Sequence, residues 1–305
     1  MKKTAQLREL LMHPEMAIAP GAYDGITARL VEQAGFPAVY MTGAGTSASK
    51  GFPDYGLLTM TEMVENAGMM VPLVEIPLIA DADTGYGNEL NVTRTIRAFE
   101  AQGVAAIHLE DQVSPKRCGH LDGKEVVSRT EFLAKIRAAV AARRDPDFLI
   151  IARTDARAVA GLDEAIARAN IALDAGADMA FVEATRTLEE VAAVPRLVQG
   201  ACLLNVVPGG RTPALTLLDA QQMGYKLVIL PGLVLGAVIA AADRALQTLK
   251  ETHLPPDSRE GAPVEVFRRF GADEWDRLRT RFQAAFPGIA SSHTPSEGKD
   301  APHTF

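Results

Sequence analysis

Eight short apolar runs, spaced along most of the chain and each followed by an amphipathic stretch, constrain this fold more than any other feature. They are AIAPGAYD (17–24), AVYMTG (38–43), PLIADAD (77–83), AAIHLED (105–111), FLIIARTD (148–155), MAFVEA (179–184), CLLNVV (202–207) and KLVILPG (226–232). Most are apolar throughout, as strands buried on both faces require. The stretches between them read as helices, and GITARLVEQAG, LNVTRTIRAFEAQG and LDEAIARANIALDAG each stop at a glycine just before the next run. Strands alternating with helices imply right-handed βαβ units and a parallel sheet. Eight such units in about 235 residues match a closed (β/α)8 TIM-type barrel. An open doubly wound sheet would carry a glycine-rich phosphate fingerprint after its first strand, and none is present.

Residues 234–250 are expected to supply the last barrel helix, and GAPVEVFRRFG and ADEWDRLRTRFQAAF one or two extra C-terminal helices. Trp275, Leu278 and Phe282 form an apolar stripe that needs a partner surface. The expected organisation is one barrel domain with its extra helices over 1–286, then a polar tail at 287–305 expected to be disordered. A net charge of −7 argues against nucleic acid or an anionic membrane as the main partner. No uninterrupted apolar run reaches the length of a membrane span, and the N-terminus lacks a secretory apolar core. With only 2 cysteines, 118 and 202, there is no disulfide framework, and a cytoplasmic location is expected.

In a barrel, the groups that do chemistry sit at the C-terminal ends of the strands. Those ends carry Tyr40, Thr42 and Gly43; Asp81 and Asp83; Glu110 and Asp111; Arg153 and Asp155; Glu183; and Asn205. Asp81 and Asp83, two apart on a strand, are expected to share one face, with Glu110 closing the next strand. Three converging carboxylates either hold a divalent cation, Mg²⁺ or Mn²⁺ by their all-oxygen character, or cap helices and pair with Arg153. GAGTSASKG (43–51) and GYG (85–87) read as loops whose backbone N–H groups could approach an anion. KRCGH (116–120) places Cys118 between cations, so Lys116, Arg117 and His120 are expected to lower its thiol pKa and hold an anionic substrate, with Gly119 letting the loop close. Cys118 then acts as nucleophile or as proton donor. Cys202 reads as core. His108 reads as a core histidine or a buried hydrogen-bonding partner of the site.

DADTGYG (81–87), HLEDQ (108–112), KRCGH (116–120) and ARTDA (152–156) together resemble the isocitrate lyase/phosphoenolpyruvate mutase superfamily over roughly residues 5–285. The likeness is greatest to the branch of 2,3-dimethylmalate lyase, methylisocitrate lyase, oxaloacetate hydrolase and carboxyphosphonoenolpyruvate phosphonomutase. It implies a barrel whose eighth helix is exchanged between subunits, in a homotetramer built from dimers. It implies Mg²⁺ on Asp83, with Asp81 and Glu110 acting through water. A small carboxylate substrate would lie on Arg153 and on Thr42, Gly43 and Ala44, with Asp81, Glu183 and Asn205 as further site positions. Cys118, Gly119 and His120 match the gating loop, whose cysteine serves as acid in the lyases. The catalytic set implied is Cys118, Tyr40, Arg153, Glu183 and His120. The expected reaction is Mg²⁺-dependent cleavage of a 2-hydroxy alkylmalate-type acid to a 2-oxo acid and a carboxylate. Methylisocitrate cleavage, oxaloacetate hydrolysis or decarboxylation, and phosphonomutase chemistry are the alternatives.

Two departures stand out. Gly236 occupies a place where methylisocitrate lyases carry an arginine, which suits a smaller acid. In NVVPGGRTP (205–213), Pro208 replaces a glutamate of the superfamily pattern and Arg211 adds a cation.

Overall fold

The computed structural model describes residues 1–255 and 261–284. All eight apolar runs become strands: β1 (Ala17–Ala22), β2 (Val39–Met41), β3 (Leu78–Asp81), β4 (Ala106–Glu110), β5 (Leu149–Thr154), β6 (Met179–Val182), β7 (Cys202–Asn205) and β8 (Leu227–Leu230). They pair in parallel in sequence order, and β8 returns to β1 with Leu227 opposite Ala17, so the barrel is closed and no strand edge is left open.

Helix α1 (Lys3–Met12) precedes the barrel, and α2 (Gly25–Gln33) follows β1. Two helices, α3 (Gly43–Ser49) and α4 (Met60–Met70), follow β2. Then come α5 (Glu89–Ala101) after β3, α6 (Arg129–Ala142) after β4, and α7 (Ala156–Ala160) with α8 (Leu162–Asp174) after β5. The circuit ends with α9 (Leu188–Leu197), α10 (Leu217–Met223) and α11 (Leu233–Thr252). Asp24, Thr59, Asn88 and Thr216 cap α2, α4, α5 and α10, each accepting a backbone N–H of the first turn.

The pleat sorts the strand residues into two cores. Tyr40, Ile79, Ile151, Phe181, Leu203 and Ile229 point inward and fill the barrel, with Leu7 of α1 among them. Their strand neighbours Val39, Met41, Leu78, Ile107 and Ile150 point outward beneath the helices. Cys202 is 1% exposed and belongs to the outer core, as the sequence indicated.

One structural expectation fails here. GAGTSASKG is not a loop: its first seven residues are α3, because Thr42 caps the turn by accepting the Gly45 N–H at 3.3 Å, and the small residues pack close beneath it.

The compact unit holding the barrel runs Met1–Arg244, and a second unit begins at Ala245. The last barrel helix forms where expected, yet no residue of α11 is buried. In the second unit, α12 (Pro263–Arg269) and α13 (Ala272–Ala284) pack on each other, and Phe267, Trp275 and Phe282 remain exposed. The tail expected at 287–305 lies outside the described residues.

Candidate active site

The strand ends converge on a cavity of about 140 Å³. It is lined by Tyr40, Thr42, Ala44, Asp81, Cys118, Gly119, His120, Arg153, Glu183 and Asn205, all anticipated from sequence, and by Asp54, which was not. Gly236 does not line it, although Pro231 and Gly232 do. Gly43, Asp83 and Glu110 are not among the lining residues.

Asp81 is a hub. Its Oδ2 accepts from the Tyr40 hydroxyl and from the Gly43 N–H, both at 3.2 Å, and its Oδ1 accepts from the Asp83 N–H at 3.0 Å. The Gly43 N–H is thus spent on Asp81 rather than offered to a ligand. Burial works to raise the Asp81 carboxyl, but His108, Lys116 and Arg153 outweigh it and hold the group far below the usual carboxylate range. Asp83 is not on the same strand face, as its spacing implied. β3 ends at Asp81, and the chain enters the left-handed region at Asp83 (φ 46°), so a turn aims this side chain. Burial, reinforced by Asp81 and Asp54, pushes Asp83 up to about 6 despite Lys116 beside it. Burial likewise raises Glu110.

These acids fit a hard divalent cation. Both oxygens of Glu110 are buried without a hydrogen bond, and Asp83 Oδ1 is buried against the Lys116 ammonium. The charges nearest them are Lys116 Nζ, 2.8 Å from Asp83, and Arg153 Nη1, 3.2 Å from Glu110. Among the described residues no three His, Cys, Asp or Glu groups form a ready-made metal cage. That does not argue against Mg²⁺, which keeps several waters and needs only one or two carboxylates. Asp83 could be a direct ligand, with Asp81 and Glu110 accepting from metal-bound water.

His108 is fully buried, 2.7 Å from the Tyr40 hydroxyl and 3.4 Å from Asp81, so it supports the site rather than merely filling core. Burial depresses its pKa to about 4, leaving it neutral near pH 7. The unfolded chain therefore takes up a proton here that the folded chain does not. Stability is fully present above pH 6.5 and is lost as pH falls from there toward 4. Asp83, Glu110 and Asp111, whose raised pKa values let the folded chain take up protons over the same range, work the other way. The His108 contribution is therefore read as a difference: the parent's urea midpoint should fall relative to that of His108→Gln between pH 7.5 and 5, and a constant difference would contradict the assignment.

Arg153 lies buried among Asp155 (3.0 Å), Glu110 (3.2 Å) and Glu183 (3.8 Å), with its guanidinium 5.1 Å from the Phe181 ring centre. Burial alone would lower its pKa, but Asp155, Glu110 and Glu183 raise it far more. Behind it, Asp111 accepts from the Asp155 N–H, the Thr154 hydroxyl and Arg168, bracing the end of β5 from outside the cavity. Lys124 reaches in to Asp155 at 3.2 Å and donates to the Gly119 carbonyl. Asp54, Lys124 and Arg168 were missed. Their only sequence signal is a charge placed in a βα loop or on a helix.

The expected electrostatics of KRCGH are overturned. Lys116 is buried against Asp54 and Asp83, and Arg117 stacks over Tyr55, so neither cation is spent on the thiol. Burial dominates, and the Cys118 thiol pKa is raised, not lowered. A thiol that stays protonated suits a proton donor and not a nucleophile. The loop itself sits down on the site. A Cβ on Gly119 would come 2.6 Å from Arg153 Nη2 and closer still to Glu183, so only glycine permits this seating. In GYG, Gly85 packs on Val92 and Leu109, and Tyr86 borders a second cleft with Thr59 and Arg94. The Tyr86 hydroxyl is nevertheless buried, and burial with the charges of Asp83 and Asp81 raises the phenol well above its usual range.

The sequence pattern of the phosphoenolpyruvate phosphomutase family matches residues 7–250. The chain belongs to the PEP mutase/isocitrate lyase superfamily. Among its relatives, the 2,3-dimethylmalate lyase of Eubacterium barkeri is 51% identical, over 76% of this chain and 80% of that one. The 2-methylisocitrate lyase of Aeropyrum pernix is 43% identical over 80% and 79%. A solved structure of 2,3-dimethylmalate lyase aligns with TM-score 0.89 at 42% identity, covering 94% of this chain and 98% of that one. Oxaloacetate acetylhydrolase in complex with 3,3-difluorooxalacetate aligns with TM-score 0.88 at 40% identity, over 93% and 97%. Phosphonopyruvate hydrolase in complex with oxalate and Mg²⁺ aligns with TM-score 0.84 at 32% identity, over 93% and 100%. No helix among the described residues of this superfamily member is long and apolar enough to cross a membrane.

Proposed function

We propose that this protein is a Mg²⁺-dependent carbon–carbon lyase that cleaves a 2-hydroxy alkylmalate of the 2,3-dimethylmalate kind to a 2-oxo acid and a carboxylate. The observation that carries this reading is a protonated Cys118 held on a seated loop over a small cavity floored by Arg153 and acids. The 51% identical 2,3-dimethylmalate lyase supports it.

Mg²⁺, or Mn²⁺ in its place, bound at Asp83, would supply Lewis-acid stabilisation of negative charge on the substrate's 2-oxygen. The chain's residues do the rest. Arg153 binds a substrate carboxylate by charge-assisted hydrogen bonds, with Thr42, Ala44 and Asn205 shaping the wall. Burial raises the Tyr40 phenol well above its usual range, so Tyr40 donates a hydrogen bond and the substrate's hydroxyl proton leaves to a carboxylate of the cluster. The C2–C3 bond breaks, its electron pair stays with C3, and Cys118 delivers a proton there. The thiolate regains its proton from solvent. His120 and Glu183 close the far wall, 3.3 Å apart.

A second reading, hydrolysis of oxaloacetate, is favoured by the small volume of the cavity and by the fit to oxaloacetate acetylhydrolase. One panel separates the two: 2,3-dimethylmalate, 2-methylisocitrate and oxaloacetate, each with Mg²⁺ and with EDTA. Pyruvate released from dimethylmalate and abolished by EDTA is the expected result. Oxaloacetate consumed with every malate inert moves the reaction to the hydrolase.

The proposal extends to assembly and place. The exposed Val238, Ile239, Leu246 and Leu249 of α11 support packing of that helix on another subunit, and the assembly proposed is a homotetramer. The cytoplasmic location proposed rests on the two unpaired cysteines. Sedimentation should give four chains per particle; a monomer would contradict this.

A further inference from the structure

Residues 207–211 were marked in the sequence only as a departure from the superfamily pattern. In the structure they form a built turn. The Gly210 N–H donates to the Val207 carbonyl at 2.9 Å, Pro208 takes the second corner, and Gly209 at φ 74° takes the third. That is the signature of a type II turn, in which proline presets one corner and glycine tolerates the left-handed other.

The turn presents two features to the Cys118 loop. The Arg211 N–H donates to His120 Nδ1 at 2.9 Å, and the bare face of Gly210 receives the imidazole: a Cβ there would lie 2.7 Å from Nδ1 and 2.9 Å from Cε1, and also 2.9 Å from the turn's own Val207 carbonyl. The Arg211 guanidinium also donates to both oxygens of Asp122 at 2.8 Å and, through Nε, to the His120 carbonyl at 3.3 Å. On its other side, His120 Nε2 lies 3.3 Å from Glu183 Oε1 and 3.3 Å from Asn205 Nδ2. An imidazole whose Nδ1 accepts a backbone N–H carries its neutral-state proton on Nε2, a tautomer assigned from these partners. That proton faces Glu183, the carboxylate on which Gly119 rests.

We propose that the Pro208–Arg211 turn is the seat of the catalytic loop, and that Gly210 and Arg211 are positioning residues that hold Cys118 over the cavity by fixing His120. The seating stands on geometry alone; its effect on turnover rests on the lyase reading above.

Iodoacetamide alkylation of Cys118, read by peptide mass spectrometry with buried Cys202 as internal reference, tests the seating without any substrate. Gly210→Ala should speed Cys118 alkylation by about tenfold or more, because the added methyl overpacks the ring. Arg211→Ala should give about fivefold at most, since a partly exposed ion pair contributes little and the backbone N–H remains. Asp122→Ala should match it, and the Arg211/Asp122 double variant should add nothing further. In a His120→Ala background, Gly210→Ala should accelerate alkylation clearly less than it does in the parent, since the ring is gone and the contact with the Val207 carbonyl is what remains. A parent-like rate in Gly210→Ala overturns the proposal. So does an equal acceleration in the His120→Ala background, which would mean that the methyl merely distorts the turn. Steady-state kinetics then read the consequence: kcat should fall in Gly210→Ala at a temperature where the variant's melting curve shows it fully folded. A freed thiol with undiminished kcat overturns the positioning role. Expected alkylation rates with no alkylmalate turned over by the parent would leave the seat standing and sink the lyase reading alone.

Discussion

Cys118→Ser should lower kcat by about 10²–10⁴-fold, the usual worth of a positioned general acid, while Mg²⁺ binding persists. Serine preserves the shape of the side chain but is a far weaker acid. The prediction follows from the protonation state. Lys116 and Arg117 flank the cysteine in sequence but are committed to Asp54, Asp83 and Tyr55, and burial keeps the thiol protonated. The donor is therefore loaded before substrate arrives. The loop's backbone anchor, the Cys118 N–H to the Asp54 carbonyl at 3.1 Å, does not involve the sulfur, so the variant should keep the loop's position. Steady-state assays at saturating substrate, with Mg²⁺ titrated by calorimetry, check both halves. Near-parental turnover would end the acid assignment.

Arg153→Met should cost more than activity. The guanidinium offsets Glu110, Asp155 and Glu183, all at most 1% exposed. Removing one partner of a buried ionic network leaves charge uncompensated and destabilises by about 3–5 kcal/mol. Lys124 still reaches Asp155, so the loss should stay at the low end of that range. Arg153→Lys keeps the charge but not the planar fork, and should recover stability better than it recovers substrate binding. Urea denaturation and kcat/KM on the same samples check this. A Met variant as stable as the parent would contradict the role of Arg153 as the counter-charge of this cluster.

The barrel was legible because its cause is local and repeated. A parallel strand buried on both faces must be apolar, and a helix that returns the chain must stop; both leave marks in every unit. The site positions were legible for the same reason, since a charge ending an apolar run has few places to go but the barrel mouth. What escaped depends on contacts distant in sequence. Lys116 meets Asp54 across 62 residues, and Lys124 meets Asp155 across a whole βα unit. Neither pairing has a periodic signature, so the thiol's neighbours in sequence were taken for its neighbours in space. Asp83 escaped through a single left-handed residue that breaks the pleat. GAGTSASKG escaped because small residues mark loops as readily as tightly packed helices, and the Thr42 cap decides between them.

The most direct test of the account is cleavage of 2,3-dimethylmalate in D₂O with Mg²⁺, with both products identified by NMR and mass spectrometry. The exchanged Cys118 thiol should place one deuterium at C2 of the released propionate and none on freshly formed pyruvate, and Cys118→Ser should remove the signal with the turnover. Intact dimethylmalate, or propionate formed at the parental rate by Cys118→Ser, would contradict it.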